Sequence, residues 1–186
     1  FMSYPDNVMV MRLTSDSKKG KLSRIISLES LHTDKTITAD GHTITMTGYP
    51  TPVSGDKRIG DAWKNGLKYA QQLVVKNKGG KISVVDGTKL KVEDADVIIV
   101  LMSAATNYVQ CMDDSYNYFS QEDPLEKVQA TLHKVADKKY TALLATHQKD
   151  YHSLYDRMRL NLGNLPEAPV APTDSLLKGM DENTNS

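Results

Sequence analysis

Two pairs of adjacent carboxylates, Asp113–Asp114 and Glu122–Asp123, are the most obvious acid–base candidates in this sequence. Hydrolysis of a glycosidic bond uses two carboxyl groups that face each other across the bond, roughly 5–9.5 Å apart. Neighbouring residues do not supply that separation by themselves, and acidic pairs in loops are usually solvated. We therefore assign no catalytic residue in this chain.

Two histidines, His147 and His152, are the candidates for a metal site. Zinc-binding histidine pairs on a helix are four residues apart, whereas a spacing of five directs the side chains about 140° apart around the helix. His147 also falls in an apolar stripe, which favours a packing role. The single cysteine, Cys111, has no local signature of an activated nucleophile, and no phosphate-binding glycine motif is present. We predict no metal site and no cofactor.

Aromatic residues fall into two groups with different predicted roles. Tyr49, Trp63 and Tyr69 lie within or close to an irregular segment rich in glycine and proline, 48–60, so we predict that they contact carbohydrate. The second group follows helical spacing, which is more typical of a core or a domain interface than of a sugar-stacking platform. We predict a domain interface for these residues: Tyr140, Leu144, His147, Tyr151 and Tyr155.

The overall composition excludes two classes of partner. The 186 residues include 23 basic and 23 acidic side chains, so the formal net charge is zero and no electrostatic footprint for nucleic acid is present. The longest apolar run is much shorter than a membrane span. This length predicts one domain with a substantial core, with or without an appendage.

The segment Val97–Met102 is the most apolar run in the chain and is rich in β-branched residues. Such a run, bounded by polar residues, predicts a strand that is buried on both faces. Upstream, Asp40–Gly41 and Asp86–Gly87 separate β-forming segments, which predicts hairpins with type I′ turns. Short strands separated by turns favour a sandwich or a barrel.

From Asp123 onward the periodicity becomes helical. Asp123–Pro124 combines a capping residue with proline at the first helical position. Apolar residues then follow at helical spacing, first at 125–135 and again at 140–158, and Gly163 is the predicted helix stop. A proline-rich segment, 165–172, predicts an extended linker.

Three stretches resemble, in order, the N-terminal region of glycoside hydrolase family 95, the α-L-fucosidase-like enzymes. They are Phe1–Thr14 (FMSYPDNVMVMRLT), Val97–Tyr108 (VIIVLMSAATNY) and Leu132–Gly163, which ends in YTALLATHQKDYHSLYDRMRLNLG. Two further pieces, Leu165–Pro166 and Pro172–Leu177, resemble the segment that follows in the family.

This resemblance implies a β-sandwich that linker helices join to an (α/α)6 barrel. In the family the barrel carries the inverting catalytic machinery, so the chain is expected to end before it and to contain none of its catalytic residues. The first strands of the sandwich are expected to precede Phe1. The resemblance also implies a periplasmic or extracellular location and fucosylated glycans as partners.

We therefore predict a mainly β fold with C-terminal helices: an antiparallel, super-sandwich-like β-sandwich followed by two linker helices. The predicted boundaries are 1–122 for the sandwich, 123–163 for the linker helices and 164–186 for an extended tail. The predicted role is a non-catalytic N-terminal domain that packs against the catalytic barrel of the same parent protein. The alternative is a free-standing carbohydrate-binding module.

Overall fold

The computed structural model describes residues 1–15, 21–50, 66–110, 119–161 and 174. In these ranges the chain forms nine strands followed by two helices. They are β1 (Met2–Ser3), β2 (Val8–Thr14), β3 (Leu22–Ile26), β4 (Lys35–Asp40), β5 (Thr43–Gly48), β6 (Tyr69–Lys78), β7 (Lys81–Val85), β8 (Lys89–Ala95), β9 (Val97–Thr106), α1 (Pro124–Val135) and α2 (Tyr140–Tyr155).

The strands form two antiparallel sheets. The larger sheet has six strands in the order β1-β2-β9-β6-β5-β4, and the smaller has three in the order β3-β8-β7. β9 lies inside the larger sheet, where it pairs with β2 on one side and with β6 on the other. The predicted buried strand is therefore confirmed, and it continues as far as Thr106. The mainly β fold with C-terminal helices is also confirmed.

The first core lies between the two sheets. Because side chains alternate along a strand, Leu73 and Val75 of β6 and Ile98 of β9 face the smaller sheet. There they pack with Leu90 and Val92 of β8, all with an exposed fraction of 3% or less. Full burial of each such aliphatic side chain contributes about 1.5–3 kcal/mol.

The second core lies on the opposite face of the larger sheet. Val10, Ala70 and Leu101 point to this face and contact Val128 and Leu132 of α1. Leu143 is the one fully buried residue of α2. The larger sheet is thus covered by the smaller sheet on one face and by helices on the other, which explains why β9 is apolar at consecutive positions.

α1 begins as the sequence predicts. The side chain of Asp123 accepts a hydrogen bond of 2.9 Å from the backbone N–H of Leu125, and Pro124 occupies the first turn. Val128, Leu132 and Val135 are buried, so the predicted stripe is the face that packs on the sheet.

The two Asp–Gly hairpins differ in detail. Asp86 and Gly87 both have positive φ, 53° and 64°, as a type I′ turn requires. In the other hairpin Asp40 still pairs with Thr43, and only Gly41 has positive φ, 54°. The type I′ prediction is therefore wrong at Asp40: this residue ends β4 in extended conformation.

The chain divides into two compact units, Phe1–Leu154 and Tyr155–Ser186. The first unit contains both sheets, α1 and α2 apart from its last residue. In the second unit, Tyr155 ends α2 and a turn follows at 156–157. The predicted helix stop at Gly163 lies outside the described residues, and the boundaries after 122 and 163 stay predictions. None of the described helices is long and apolar enough to cross a membrane.

Candidate functional site

Two of the three aromatic residues predicted to contact carbohydrate meet at one end of the larger sheet. Tyr69 begins β6 and pairs with Gly48, the last residue of β5, and Tyr49 follows directly. Both tyrosines are partly buried and line one cleft. Trp63 lies outside the described residues. Twenty residues of sequence separate Tyr49 from Tyr69, and the pairing of β5 with β6 brings the two close together.

This first cleft has a volume of about 320 Å³. It lies between the ends of β4, β5 and β6 and the start of α1. Two carboxylates, Asp34 and Asp123, and two ammonium groups, Lys35 and Lys68, are among its lining residues. The charges of these four side chains balance, so the cleft does not favour an anionic ligand.

The ring of Tyr69 is held in place by its neighbours. A Cβ atom on Gly48 would lie only 2.7 Å from Tyr69 Oη and 2.3 Å from the carbonyl oxygen of Asp34. The Tyr69 hydroxyl donates to Ser30 Oγ across 3.5 Å, and the His32 ring lies 5.6 Å from the Tyr69 ring. Glycine at 48 is therefore required for this close approach of side chain to backbone.

A second, larger cleft of about 590 Å³ lies beside Tyr69. Its walls come from the β3–β4 connection and its floor from the larger sheet. The lining residues are Glu29, Ser30, His32, Met46, Pro50, Tyr69, Ala70, Gln71, Ala104, Ala105 and Thr106. Tyr69 lines both clefts and stands between them.

The floor of this second cleft follows from the strand register. Gln71 of β6 lies opposite Ala104 of β9 on one side and Met46 of β5 on the other. In the next row, Tyr69 lies between Thr106 and Gly48. Residues opposite each other in a sheet share one face. The small side chain of Ala104 therefore leaves space beside Gln71 at this end of the sheet.

The sequence alone did not indicate the floor residues Gln71, Ala104 and Thr106. Their side chains come together only through pairing of β6 with β9, which are about thirty residues apart in sequence. One available signal is Ala104–Ala105 at the end of the apolar strand, because small residues there leave space above a sheet. The predicted carbohydrate contact of Tyr69 stays a prediction, and its neighbour Gln71 in the cleft carries no local sequence signal.

Asn107 fixes the end of the sheet beside the clefts. This residue has an exposed fraction of 4%. Its Oδ1 accepts from the backbone N–H of Lys68 at 2.7 Å, and its Nδ2 donates to the carbonyl oxygens of Gly66 at 2.8 Å and Ser120 at 3.4 Å. Asn107 thereby joins the start of β6, the end of β9 and the segment that leads into α1.

The acidic pair Glu122–Asp123 has a structural role. Asp123 caps α1, and Glu122 forms an exposed ion pair with Lys127. The other pair, Asp113–Asp114, lies outside the described residues, as does Cys111. Within the described part of the chain, no group of three or more His, Cys, Asp or Glu side chains could hold a metal ion.

The residues predicted to form a domain interface occupy two different parts of α2. At the start of the helix, Tyr140 lies under the guanidinium of Arg12, which is 5.3 Å from the ring centre. The His147 ring stacks on Phe1 at 4.8 Å with an interplanar angle of 18°, and Leu144 is partly buried. These contacts are all within the first unit, so this part of α2 is anchored on the sandwich.

The end of α2 is more exposed. Tyr151 has an exposed fraction of 48% and Leu154 one of 59%, although both continue the apolar stripe. Tyr155, the first residue of the second unit, is 64% exposed. The stripe of α2 therefore changes from packed to exposed along the helix.

Comparison with known proteins identifies relatives of this chain. Residues 1–111 match the sequence model described as glycosyl hydrolase family 65, N-terminal domain. A probable alpha-fucosidase A of Aspergillus niger is 28% identical over 98% of this chain and 22% of its own length. Alpha-L-fucosidase 2 of Arabidopsis thaliana is 32% identical over 87% of this chain and 20% of its own length.

The chain thus spans about a fifth of the length of these two relatives. The family match covers the two sheets, and the relatives extend the similarity through the helices. The resemblance to the N-terminal region of α-L-fucosidase-like glycoside hydrolases is confirmed. The chain belongs to the glycosyl hydrolase N-terminal domain family, described as that of family 65.

Proposed function

We propose that this chain is a non-catalytic N-terminal domain that supports the helical catalytic domain of an α-L-fucosidase-like parent protein. The two relatives carry α-fucosidase names, and this chain corresponds to about a fifth of each. An inverting hydrolase needs two carboxyl groups about 6.5–9.5 Å apart around a water molecule. The described acidic pair serves as a cap and an exposed ion pair, so we infer that the catalytic pair belongs to the rest of the parent.

The change in side-chain exposure along α2 is the observation that supports this proposed role. Its first half packs on the sandwich through Tyr140, Leu143 and His147. Its second half presents Tyr151 and Leu154 with about half of each side chain exposed. Exposed apolar side chains that continue a packed stripe are typical of an interface. The catalytic domain, an (α/α)6 barrel by resemblance, is the proposed occupant because the similarity to the two fucosidases extends through α2 and this chain spans only about a fifth of their length.

Hydrogen–deuterium exchange tests this assignment in two proteins, this chain alone and the parent protein. We expect the backbone amides of 148–154 to exchange more slowly in the parent, because packing of the catalytic domain suppresses local opening. Leu154→Ser in the parent should reduce that protection. Leu31→Ser is the matched control, because Leu31 is an exposed leucine of the sandwich, at 87%.

The proposal fails if the reading frame ends at Ser186 in the native gene, or if 148–154 exchange equally in both proteins. We further expect this chain alone to release no fucose from a fucoside substrate. Stoichiometric turnover by the purified chain would contradict the non-catalytic role. The periplasmic or extracellular location stays a prediction, which fractionation of the source cells would test.

A free-standing carbohydrate-binding module is the second candidate function. The observation that favours it is the pair of clefts on either side of Tyr69. This function predicts glycan affinity without a catalytic domain and no partner on the end of α2. Slower exchange at 148–154 in a longer parent protein would therefore separate the two candidates.

A further inference from the structure

We propose that the larger cleft beside Tyr69 is a binding site for one uncharged, hydroxyl-rich ring, such as a pyranose unit of a glycan. The site lies wholly in the first unit and is independent of the interface on α2. Its volume of about 590 Å³ falls in the range of small-molecule sites, roughly 300–1,000 Å³. Binding here would give the N-terminal domain a function beyond support.

The proposal rests first on two polar groups of the cleft, the Gln71 amide and the Tyr69 hydroxyl, whose present hydrogen bonds are weak. The amide Nε2 of Gln71 donates to the thioether sulfur of Met102 at 2.8 Å. A thioether is a weak acceptor, so this donor would gain from a hydroxyl oxygen in the cleft. Among the described residues, the Tyr69 hydroxyl likewise has one hydrogen bond, a long one of 3.5 Å to Ser30 Oγ. A ligand that carries several hydroxyl groups would satisfy these groups better than their present partners do.

The shape of the cleft fits a ring. Met46 and Ala104 supply apolar surface at the floor, and the tyrosine and histidine rings of Tyr69 and His32 stand at the wall. Sugar rings have apolar C–H faces and polar edges, so an apolar floor with polar groups at the sides is complementary to them. The small side chain of Ala104 leaves room for the ring beside Gln71.

Charge argues against the other small polar ligands. Glu29 is the only acidic residue that lines this cleft, and no lysine or arginine lines it among the described residues. Lys35, the first residue of β4, donates its ammonium protons to the carbonyl oxygens of Ser30 and His32. A phosphate or carboxylate ligand would therefore meet the Glu29 carboxylate, while the nearby Lys35 ammonium is already bound by two backbone carbonyl oxygens. An uncharged ligand avoids that cost.

Saturation-transfer NMR with this chain and methyl α-L-fucoside is the direct test, with glycerol as the control for non-specific polyol contact. We expect saturable binding of the fucoside with a dissociation constant on the order of 1 mM, and none for glycerol. Gln71→Leu keeps the side-chain volume but removes the amide. Tyr69→Phe keeps the ring but removes the hydroxyl. Each should weaken binding by about five- to tenfold.

Matched control variants distinguish loss of binding at this site from general destabilisation of the fold. Gln148→Leu makes the same change on exposed α2, and Tyr4→Phe makes the same change at a tyrosine that is 87% exposed. Both should leave the affinity unchanged, and circular dichroism should show native folding for all variants. Lys68→Ala alters only the smaller cleft and should also be neutral.

Three results would overturn the proposal. They are the absence of saturable binding of fucoside, galactoside and glucoside alike, an equal response to glycerol, and loss of affinity in Lys68→Ala with none in Gln71→Leu. None of these results bears on the hydrogen–deuterium exchange of α2. The binding proposal and the proposed supporting role can therefore fail separately.

Discussion

Asp6 and Lys138 form an ion pair in which Lys138 Nζ lies 2.7 Å from Asp6 Oδ1. Asp6 lies in the turn between β1 and β2, whereas Lys138 lies in the connection between α1 and α2. The Asp6 side chain is only 4% exposed and also accepts a hydrogen bond of 2.8 Å from Ser3 Oγ. Lys76 of β6 reaches the same connection through the carbonyl oxygen of Ala136. The sandwich therefore holds the helical connection at two points.

We expect Asp6→Asn to lower the free energy of unfolding by roughly 1–2 kcal/mol, because it removes a charge-assisted hydrogen bond of a buried carboxylate. Urea unfolding followed by circular dichroism measures the change. Glu122→Gln is the matched control: its ion pair with Lys127 is exposed, and its loss should cost at most about 0.5 kcal/mol. Equal losses in the two variants would contradict the buried role of Asp6.

The same carboxylate predicts how stability depends on pH. Burial by itself raises the pKa of Asp6, but hydrogen bonds from Lys138 and Ser3 and the Lys138 charge together hold the pKa below its ordinary value of 3.8. A carboxyl whose pKa is lower in the folded state stabilises the fold above pH 3.8, and this contribution is lost as the pH falls through the lowered pKa. Unfolding free energies should therefore converge for wild type and Asp6→Asn in acid. A constant difference at every pH would refute this.

Asn107→Ala should lower the free energy of unfolding by about 2–3 kcal/mol, because it leaves the N–H of Lys68 and the carbonyl oxygen of Gly66 without this partner in a partly buried place. Thermal or urea unfolding measures this loss. Asn77→Ala is the control, because the Asn77 side chain, near the end of β6, donates an exposed hydrogen bond to the carbonyl oxygen of Gly79. That variant should lose less than about 1 kcal/mol. Similar values for both would show that Asn107 does not organise the sheet end.

Two glycines with positive φ should respond differently to alanine. At Gly80, φ is 66° and a Cβ atom would lie 2.0 Å from the carbonyl oxygen of Glu93, so Gly80→Ala combines backbone strain with a clash. At Gly87, φ is 64° and no atom lies within 4 Å of the added Cβ. We expect Gly87→Ala to lower the free energy of unfolding by about 1–2 kcal/mol and Gly80→Ala to lower it clearly more. The order of their melting temperatures tests this, and the reverse order would contradict it.

Much of the fold was predictable because its signals are local. The apolar run at Val97–Met102 indicated the central strand, and the Asp123–Pro124 pair indicated the start of α1. The Asp40–Gly41 pair gave the hairpin but not its turn type. Turn type depends on the register of the strands as well as on the dipeptide, and here the register keeps Asp40 in β4.

The candidate site was predictable only in part. Tyr49 and Tyr69 were selected because they lie close to an irregular segment, and they do line a cleft. Gln71 carries no local signal, since its neighbours Met46 and Ala104 come from other strands. Helical spacing likewise could not separate His147, which stacks on Phe1, from Leu154, which is exposed. Spacing defines one face of a helix but not what covers each part of it.

The place of β9 in the larger sheet has a consequence for how the chain folds. β9 is the last strand among the described residues, yet it separates β2 from β6, and Met9 pairs with Met102. Until β9 has been synthesised, the edges of β2 and β6 that pair with it stay open, and both cores lack the side chains that β9 contributes. Pairing of such distant segments is slow, and open strand edges promote association between chains. A polypeptide that ends before Val97 should therefore aggregate, and the folding rate should be set by the arrival of β9.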